Sequence, residues 1–363
     1  MSELQFVLLV IGIGVIVVLY AFGWWKQKQY RQRFEGIFKP PQNDALYVTP
    51  EENTTGTDKH ISSSALSDTG DISDSGRAES DSASSHIDET CSTLDVRDDF
   101  IIEIHPASPN SATILKGLWQ RKFDFGKPVH VCGMTFATKE WERVIPESQT
   151  LYKRFRLALQ LVDRGGPISA AKLADFRDLV SGIAQNLNAD TSIPDVDETH
   201  RRAIDLDAFC ASVDQMVGVN LMPPGKRLLL GTKISQSATL LGMTLESDGA
   251  FHQLDDQGHS LFSLTNRDAK PFQHHLLETS GSAGITLLLD VPRVSNPTGK
   301  FDQLMQVAHG LAKGLQVNLV DDHDLPLSES GLAMIRTRIE EIENKMTEFG
   351  ITPGSAQAHR LFS

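Results

Sequence analysis

Only three cysteines, Cys91, Cys132 and Cys210, occur in 363 residues. Their odd number and wide spacing offer neither a disulfide framework nor a CxxC metal knuckle, which predicts a folded part in a reducing compartment. Positive charge is also scarce: 34 Lys and Arg stand against 47 Asp and Glu, a formal charge of −13. No Lys/Arg-rich block faces aromatic residues, so the phosphate neutralisation that drives nucleic-acid binding has no footing. Catalytic signatures are missing as well. There is no GxxxxGK[ST] loop, no GxSxG elbow and no HExxH helix, which removes the usual basis for nucleotide, acyl-transfer and zinc-protease chemistry. The nearest approach to a metal site is Asp321-Asp322-His323-Asp324. Adjacent acidic residues where a strand ends read as turn formers, because chain neighbours rarely converge on one ion. His274-His275 reads no more strongly. No enzyme activity, metal, cofactor or small-molecule substrate is expected.

Large apolar residues are instead concentrated at one end. Leu4 to Gly23 reads LQFVLLVIGIGVIVVLYAFG, about 20 residues in which Gln5 alone is strongly polar, the length that spans a ~30 Å hydrocarbon core. Glu3 precedes the run and Trp24-Trp25 follows it, unlike a cleaved signal peptide. Lys26, Lys28, Arg31 and Arg33 follow the span and no basic residue precedes it, so the positive-inside rule predicts an outside N-terminus and a cytoplasmic remainder. Residues 24–40 form a basic juxtamembrane segment. Between Pro41 and Asp99 there are 14 Asp/Glu, 3 Lys/Arg and 11 Ser. That composition buries too little to offset its ordering entropy, and 41–99 reads as a disordered acidic tether.

Apolar periodicity returns at Phe100, with an internal echo. Leu157 to Asp190 overlays Ile285 to Asn318 without a gap at an offset of 128, matching Leu159/Leu287, Leu161/Leu289, Lys172/Lys300, Gly182/Gly310, Ala184/Ala312 and Leu187/Leu315. Both stretches read as strand, loop and helix, with alternate residues (Leu157, Leu159, Leu161; Ile285, Leu287, Leu289) on one face. Upstream, Phe100–His105 and Gln215–Leu221 read as strands, and Ser111–Gln120 and Leu228–Leu241 as helices. The expected fold is therefore α+β: two tandem copies, each an antiparallel sheet with helices on one face in a split βαβ order, over 100–212 and 213–346, with 347–363 as a tail. Leu332, Ile335, Ile339, Ile342 and Met346 form a helical stripe that reads as core packing. Gly310-Leu-Ala-Lys-Gly314 lies on a helix, where small residues allow close approach to the sheet. The junction between the copies, around Phe209 and Cys210, is short and predicts one two-lobed body.

Leu261-Phe-Ser-Leu-Thr-Asn266 and Gly284-Ile-Thr-Leu-Leu-Leu-Asp-Val-Pro292, behind an outside-in anchor and a long acidic linker, resemble the ZipA family of bacterial division proteins. The sequence resemblance runs from about Asp214 to Met346. It implies a six-stranded antiparallel sheet with helices on one face, whose open face binds the C-terminal tail peptide of the tubulin-like protein FtsZ in a shallow apolar groove. The anchor would tie the division ring to the inner membrane. Carried over by position, the resemblance assigns the groove to Met216 on the first strand, Asp248 and Ala250 on the second, Thr265 on the third, and Thr286 and Leu288 on the fourth. Lys270 would stand at its edge, where an acidic tail is favoured. Asp248 stands where the family has a large apolar residue and Leu288 replaces an aromatic one, so less apolar area is available. The first copy carries Ala158 and Gln160 at the positions of Thr286 and Leu288, which directs tail binding to the second. Two other readings remain: a tethered scaffold for a different partner, and a membrane-anchored enzyme with a pocket between the lobes.

Overall fold

The computed structural model describes residues 91–268 and 270–363. The expected span Leu4–Gly23, the basic segment 24–40 and the tether as far as residue 90 lie outside the described residues. Among the described residues, no helix is long and apolar enough to cross a membrane. Residues 91–327 and 332–363 belong to one compact unit.

In chain order the first lobe comprises β1 (Asp99–His105), α1 (Lys116–Arg121), β2 (Val129–Thr135), β3 (Trp141–Arg143), β4 (Tyr152–Gln160), the short ribbon β5 (Val162–Asp163) and β6 (Gly166–Pro167), α2 (Ala170–Asn186), β7 (Asp190–Ser192) and α3 (Val196–Val213). The second comprises β8 (Met216–Met222), β9 (Leu229–Leu230), α4 (Gly231–Leu240), β10 (Met243–Leu245), β11 (Phe251–Leu254), β12 (Ser260–Asn266), β13 (Gly281–Ser282), β14 (Ile285–Asp290), α5 (Pro297–Leu315) and β15 (Asn318–Val320), followed by α6 (Glu329–Phe349) and α7 (Ala356–Leu361). The first sheet runs β3-β2-β4-β1-β7 and the second β10-β11-β12-β14-β8-β15. Every pairing in both is antiparallel.

The helices form where sequence supplies both a cap and a stripe. Asn296 accepts the Gly299 N–H and Pro297 opens α5, which buries Phe301, Leu304, Val307, Ala308, Leu311 and Leu315 against β8, β12, β14 and β15. Ser169 caps α2 in the same way, and Leu173, Phe176, Val180 and Ile183 are buried. The core faces of the strands are the alternating Ile102 and Ile104, Leu157 and Leu159, Val217, Val219 and Leu221, and Ile285, Leu287 and Leu289. In α6, Ile339, Ile342 and Met346 are buried, with Leu332 and Ile335 packed against them.

The stretch β4-α2-β7 and its counterpart β14-α5-β15 occupy matching places in their sheets, at the offset of 128 residues. Upstream the lobes diverge. In the first, the chain reaches β2, beside β4, before the edge strand β3; in the second it starts from the edge at β10 and works inward. The second sheet also has one strand more, and a turn at Glu246–Ala250 separates its β10 from β11.

Several sequence expectations need correction. Cys91 and Cys132 are joined by a disulfide, so wide spacing did not exclude one. Cys132 lies on a strand and the fold brings Cys91 to it, a proximity that spacing cannot reveal. The cytoplasmic placement then rests on flanking charge alone. Residues 91–99, assigned to the tether, are part of the folded body: Asp98 and Asp99 are buried, and their N–H groups bond to Asp95 O at 3.0 and 2.9 Å. Residues 347–363 are no loose tail either, since Ile351, Ala358, Leu361 and Phe362 are buried and Ser355 caps α7.

Gly310 allows close approach to another helix end and not to the sheet. A Cβ there would lie 2.9 Å from Leu241 Cδ2, just past α4, and one at Gly314 would lie 3.3 Å from Ser237 Oγ. The matching Gly182 has nothing within 4 Å. Gly182→Ala is therefore expected to stabilise by about 0.5–1 kcal/mol through helix propensity alone. Gly310→Ala is expected to destabilise by about 1 kcal/mol, overpacking outweighing the same gain. Urea midpoints of the two variants moving in opposite directions are the check.

Candidate functional site

With helices on its core face, the second sheet turns its other face outward. Cross-strand partners point to the same side, so the register lays out that face in rows. Thr244, His252, Ser263, Leu288 and Gly218 form one row across five strands. Thr265, Thr286, Asn220 and Val320 form the next, and Asp290 pairs with Met216 beyond. Of the residues assigned from sequence, Met216, Thr265, Thr286 and Leu288 thus share this face, each half-buried.

The row ends on Gly218, which the sequence reading did not select. It is exposed, and a Cβ built there would sit 3.5 Å from Leu288 Cδ2 and 3.6 Å from Thr286 Cγ2. The strand therefore has a bare backbone floor walled by an isobutyl and a methyl group, a shallow trough that can seat an apolar side chain. Thr286 shows its methyl because its hydroxyl is occupied, donating to Asn220 Oδ1 at 2.7 Å, while Asn220 Nδ2 donates to Asp322 Oδ1 at 2.9 Å. The available sequence signal was a glycine inside a strand, which often marks a close backbone approach.

Asp248 and Ala250 lie in the β10–β11 turn, not on a strand. Ala250 is buried and its N–H donates to Asp248 Oδ1 at 3.0 Å, leaving it little surface for a ligand. Gly249, at φ +81°, lets the turn fold against Pro271, where a Cβ would meet Pro271 Cβ at 2.3 Å. Asp248 Oδ2 is 2.9 Å from His252 Nε2, and His252 Nδ1 is 2.7 Å from Ser260 Oγ. Partial burial pushes the Asp248 carboxyl up, but the Ala250 N–H and the His252 ring outweigh it and hold it below the usual carboxylate range. This end of the face is polar and internally bonded. Lys270 is exposed in the loop after β12, with its ammonium 2.9 Å from Asp268. Part of its charge is already met there.

The acidic run is a turn. Asp321 Oδ1 accepts the His323 and Leu325 N–H groups at 2.8 Å each, Asp322 holds Asn220, and Asp324 pairs with Arg267. Its carboxylates are spent on different partners, as a turn former's would be.

The Met216 end is closed by the first lobe. Arg164, from the β5–β6 turn, donates to Asp290 at 2.7 and 2.9 Å and to Asp214 at 2.7 and 3.1 Å. Burial disfavours its charge, but the two carboxylates more than restore it and hold the guanidinium above its ordinary range. The first sheet offers no comparable open face. Ala158 and Gln160 are buried, and Gln160 Nε2 donates to Val162 O at 2.7 Å and to Arg360 O of α7 at 2.9 Å. Arg360 in turn pairs with Asp99 and reaches Thr93 O at 3.1 Å, so residues 93–99 and α7 meet on that side.

Residues 215–338 match the family described as ZipA, C-terminal FtsZ-binding domain. The chain is also similar to the cell division protein ZipA of Colwellia psychrerythraea, 23% identical over 135 residues. That alignment covers 36% of this chain and 36% of the relative. Both findings agree with the resemblance carried by residues 261–266 and 284–292, and they concern a non-enzymatic family of cell-division proteins.

Proposed function

We propose, from the match of residues 215–338 to the ZipA C-terminal FtsZ-binding domain, that this protein is a membrane-anchored division adaptor. In this reading the open face of the second sheet takes the C-terminal tail peptide of FtsZ, and Leu4–Gly23 holds the protein in the inner membrane with the folded body on the cytoplasmic side. The first lobe is a degenerate relative of the second that serves as a rigid neighbour. The observation that carries the reading is the trough over Gly218 between Leu288 and Thr286, on a sheet whose other side is taken up by its own helices. An amphipathic peptide lays its apolar side chains into such a groove. Met216, Thr265 and Lys270 would border it, while Asp248 and Ala250 contribute through the shape of their turn.

The test is a titration of the full chain, in detergent, with the FtsZ tail peptide. Saturable binding in the micromolar range supports the adaptor. Gly218→Val is expected to weaken binding at least about tenfold by filling the trough, and Gly218→Ala, whose Cβ meets only ordinary contacts, is expected to leave the melting temperature unchanged while weakening binding less. The second reading, a scaffold for a different partner on the same fold, is favoured by the polar Asp248–His252–Ser260 corner. Absence of binding at millimolar peptide by folded protein would move the assignment there.

A further inference from the structure

A second apolar surface lies outside the trough. The ribbon β9–β13 is separate from both main sheets, with Leu230 paired to Gly281 and Leu229 to Ser282. Leu229 is buried, so by strand alternation its neighbours Leu228 and Leu230 turn the other way, 59% and 52% exposed. Leu228 rests on Gly281, where a Cβ would come within 3.3 Å of its Cδ1. Leu276, at the end of the single turn His274–Leu276, is 44% exposed beside the buried Leu277. Gly231 ties that turn to the ribbon. Its N–H donates to Ser280 O at 3.0 Å, and it passes so close to Leu277 O that a Cβ would lie 2.6 Å away. Three bare leucines thus share one small platform.

The platform is basic, on a chain of net charge −13. Residues 226–233 contain Lys226, Arg227 and Lys233 and no acidic residue, and residues 273–281 contain two histidines and Glu278 as the one acid. Lys226 and Lys233 are exposed, and neither is in an ion pair among the described residues. Arg227 donates to Leu315 O and Gln316 O at 2.8 and 2.6 Å, which fixes its side chain at the end of α5 without neutralising its charge.

Given the membrane anchoring proposed above, on which this rests, we propose that the platform docks on an anionic phospholipid bilayer. The leucines enter the headgroup boundary and the three cations meet lipid phosphates. Aliphatic side chains framed by charge of one sign, complementary to that of the lipid, suit such an interface. Each Lys or Arg beside an anionic surface gains about fivefold in partition, and three gain about a hundredfold. That is weak for a free protein and ample for a tethered one, whose second contact works at an effective concentration of about millimolar.

The experiment places the full chain in lipid nanodiscs of phosphatidylcholine alone, or of phosphatidylcholine and phosphatidylglycerol in equal parts, and follows acylation of each lysine. Lys226 and Lys233 are expected to react at least about fivefold more slowly in the anionic discs, and Lys139 of the first lobe at one rate in both. High salt should erase the difference, because it screens exposed charges. Leu228→Asp combined with Leu230→Asp should erase it too, while leaving the FtsZ-tail titration unchanged. Equal rates at Lys226 and Lys233 in the two kinds of disc, with the chain held in both, would overturn the bilayer as occupant, leave the anchor standing and turn the platform toward a protein partner. A difference that persists in the double variant also overturns the proposal, since the leucines then take no part. Recovery of the chain with anionic discs alone, lost on the double substitution, would overturn the anchor and keep the platform. The wild-type comparison stands by itself if the variant does not fold.

Discussion

Leu288→Asp is expected to abolish FtsZ-tail binding while leaving the protein folded. Leu288 stands half-buried on the outward face, paired with Ser263 on one side and Gly218 on the other, so a carboxylate there stays hydrated in the free protein. Seating an apolar peptide side chain over Gly218 would strip that water from a charge, and the wall it should touch is gone. Loss of the leucine contact alone is worth about 1.5–3 kcal/mol, and the desolvated carboxylate adds to it. The dissociation constant should rise at least about thirtyfold, beyond what a micromolar complex can show at ordinary concentrations. Leu288→Met, which keeps the apolar wall, should stay within about threefold of wild type. Isothermal titration with the melting temperature recorded on the same samples is the check. Unimpaired binding by a folded Leu288→Asp variant would remove the trough from the site.

Arg164→Ala is expected to be the most destabilising surface-loop substitution in the body. Its guanidinium holds Asp214, just past α3, and Asp290, at the end of β14, and the side chains are 21%, 16% and 21% exposed. Removing the cation leaves two carboxylates turned toward each other in a poorly solvated place. A fully buried pair broken this way costs about 3–5 kcal/mol; the residual exposure brings the expected loss to about 2–3 kcal/mol. For a body of this size that is a fall of about 3–5 °C in melting temperature. Asp290→Asn in the Arg164→Ala background should recover part of it, because one of the two like charges is gone, and the coupling is read from the double-mutant cycle. Additivity of the two substitutions would show that the ion triad contributes no coupling. The same variant tests how the lobes support the site, since Arg164 belongs to the first lobe and Asp290 borders Met216 on the second. A stacked pair, Phe209 on α3 and Phe349 on α6, with centroids 3.6 Å apart, ties the same regions on another side.

Sequence alone was sufficient for features that are local and periodic. The alternation in 285–289 and the three-and-four spacing from Phe301 to Leu315 were enough for a strand facing the core and a helix covering it. They were enough because each pattern is the direct image of a side-chain period. The family resemblance in residues 261–266 and 284–292 was likewise legible, since those strands are fixed by both their core and their outward faces. Met216, Thr265, Thr286 and Leu288 followed from it because strand parity alone puts them on one side.

The rest depended on packing, and in each case the cause is proximity between distant residues. Gly218 becomes the floor of the trough because Leu288 and Thr286 come from the neighbouring strand. Ala250 is withdrawn because Pro271 and Phe272 close over its turn. The arm at 91–98 and the segment 351–362 looked polar or short enough to be loose, yet each is held by the other and by the first sheet, through Asp99 to Arg360, Asp98 to Gln357 and Arg360 to Thr93. Hydrophobic pattern reports a residue's own tendency to be buried. Whether a cysteine 41 positions away, or an arginine from another lobe, arrives beside it depends on how whole sheets and helices pack.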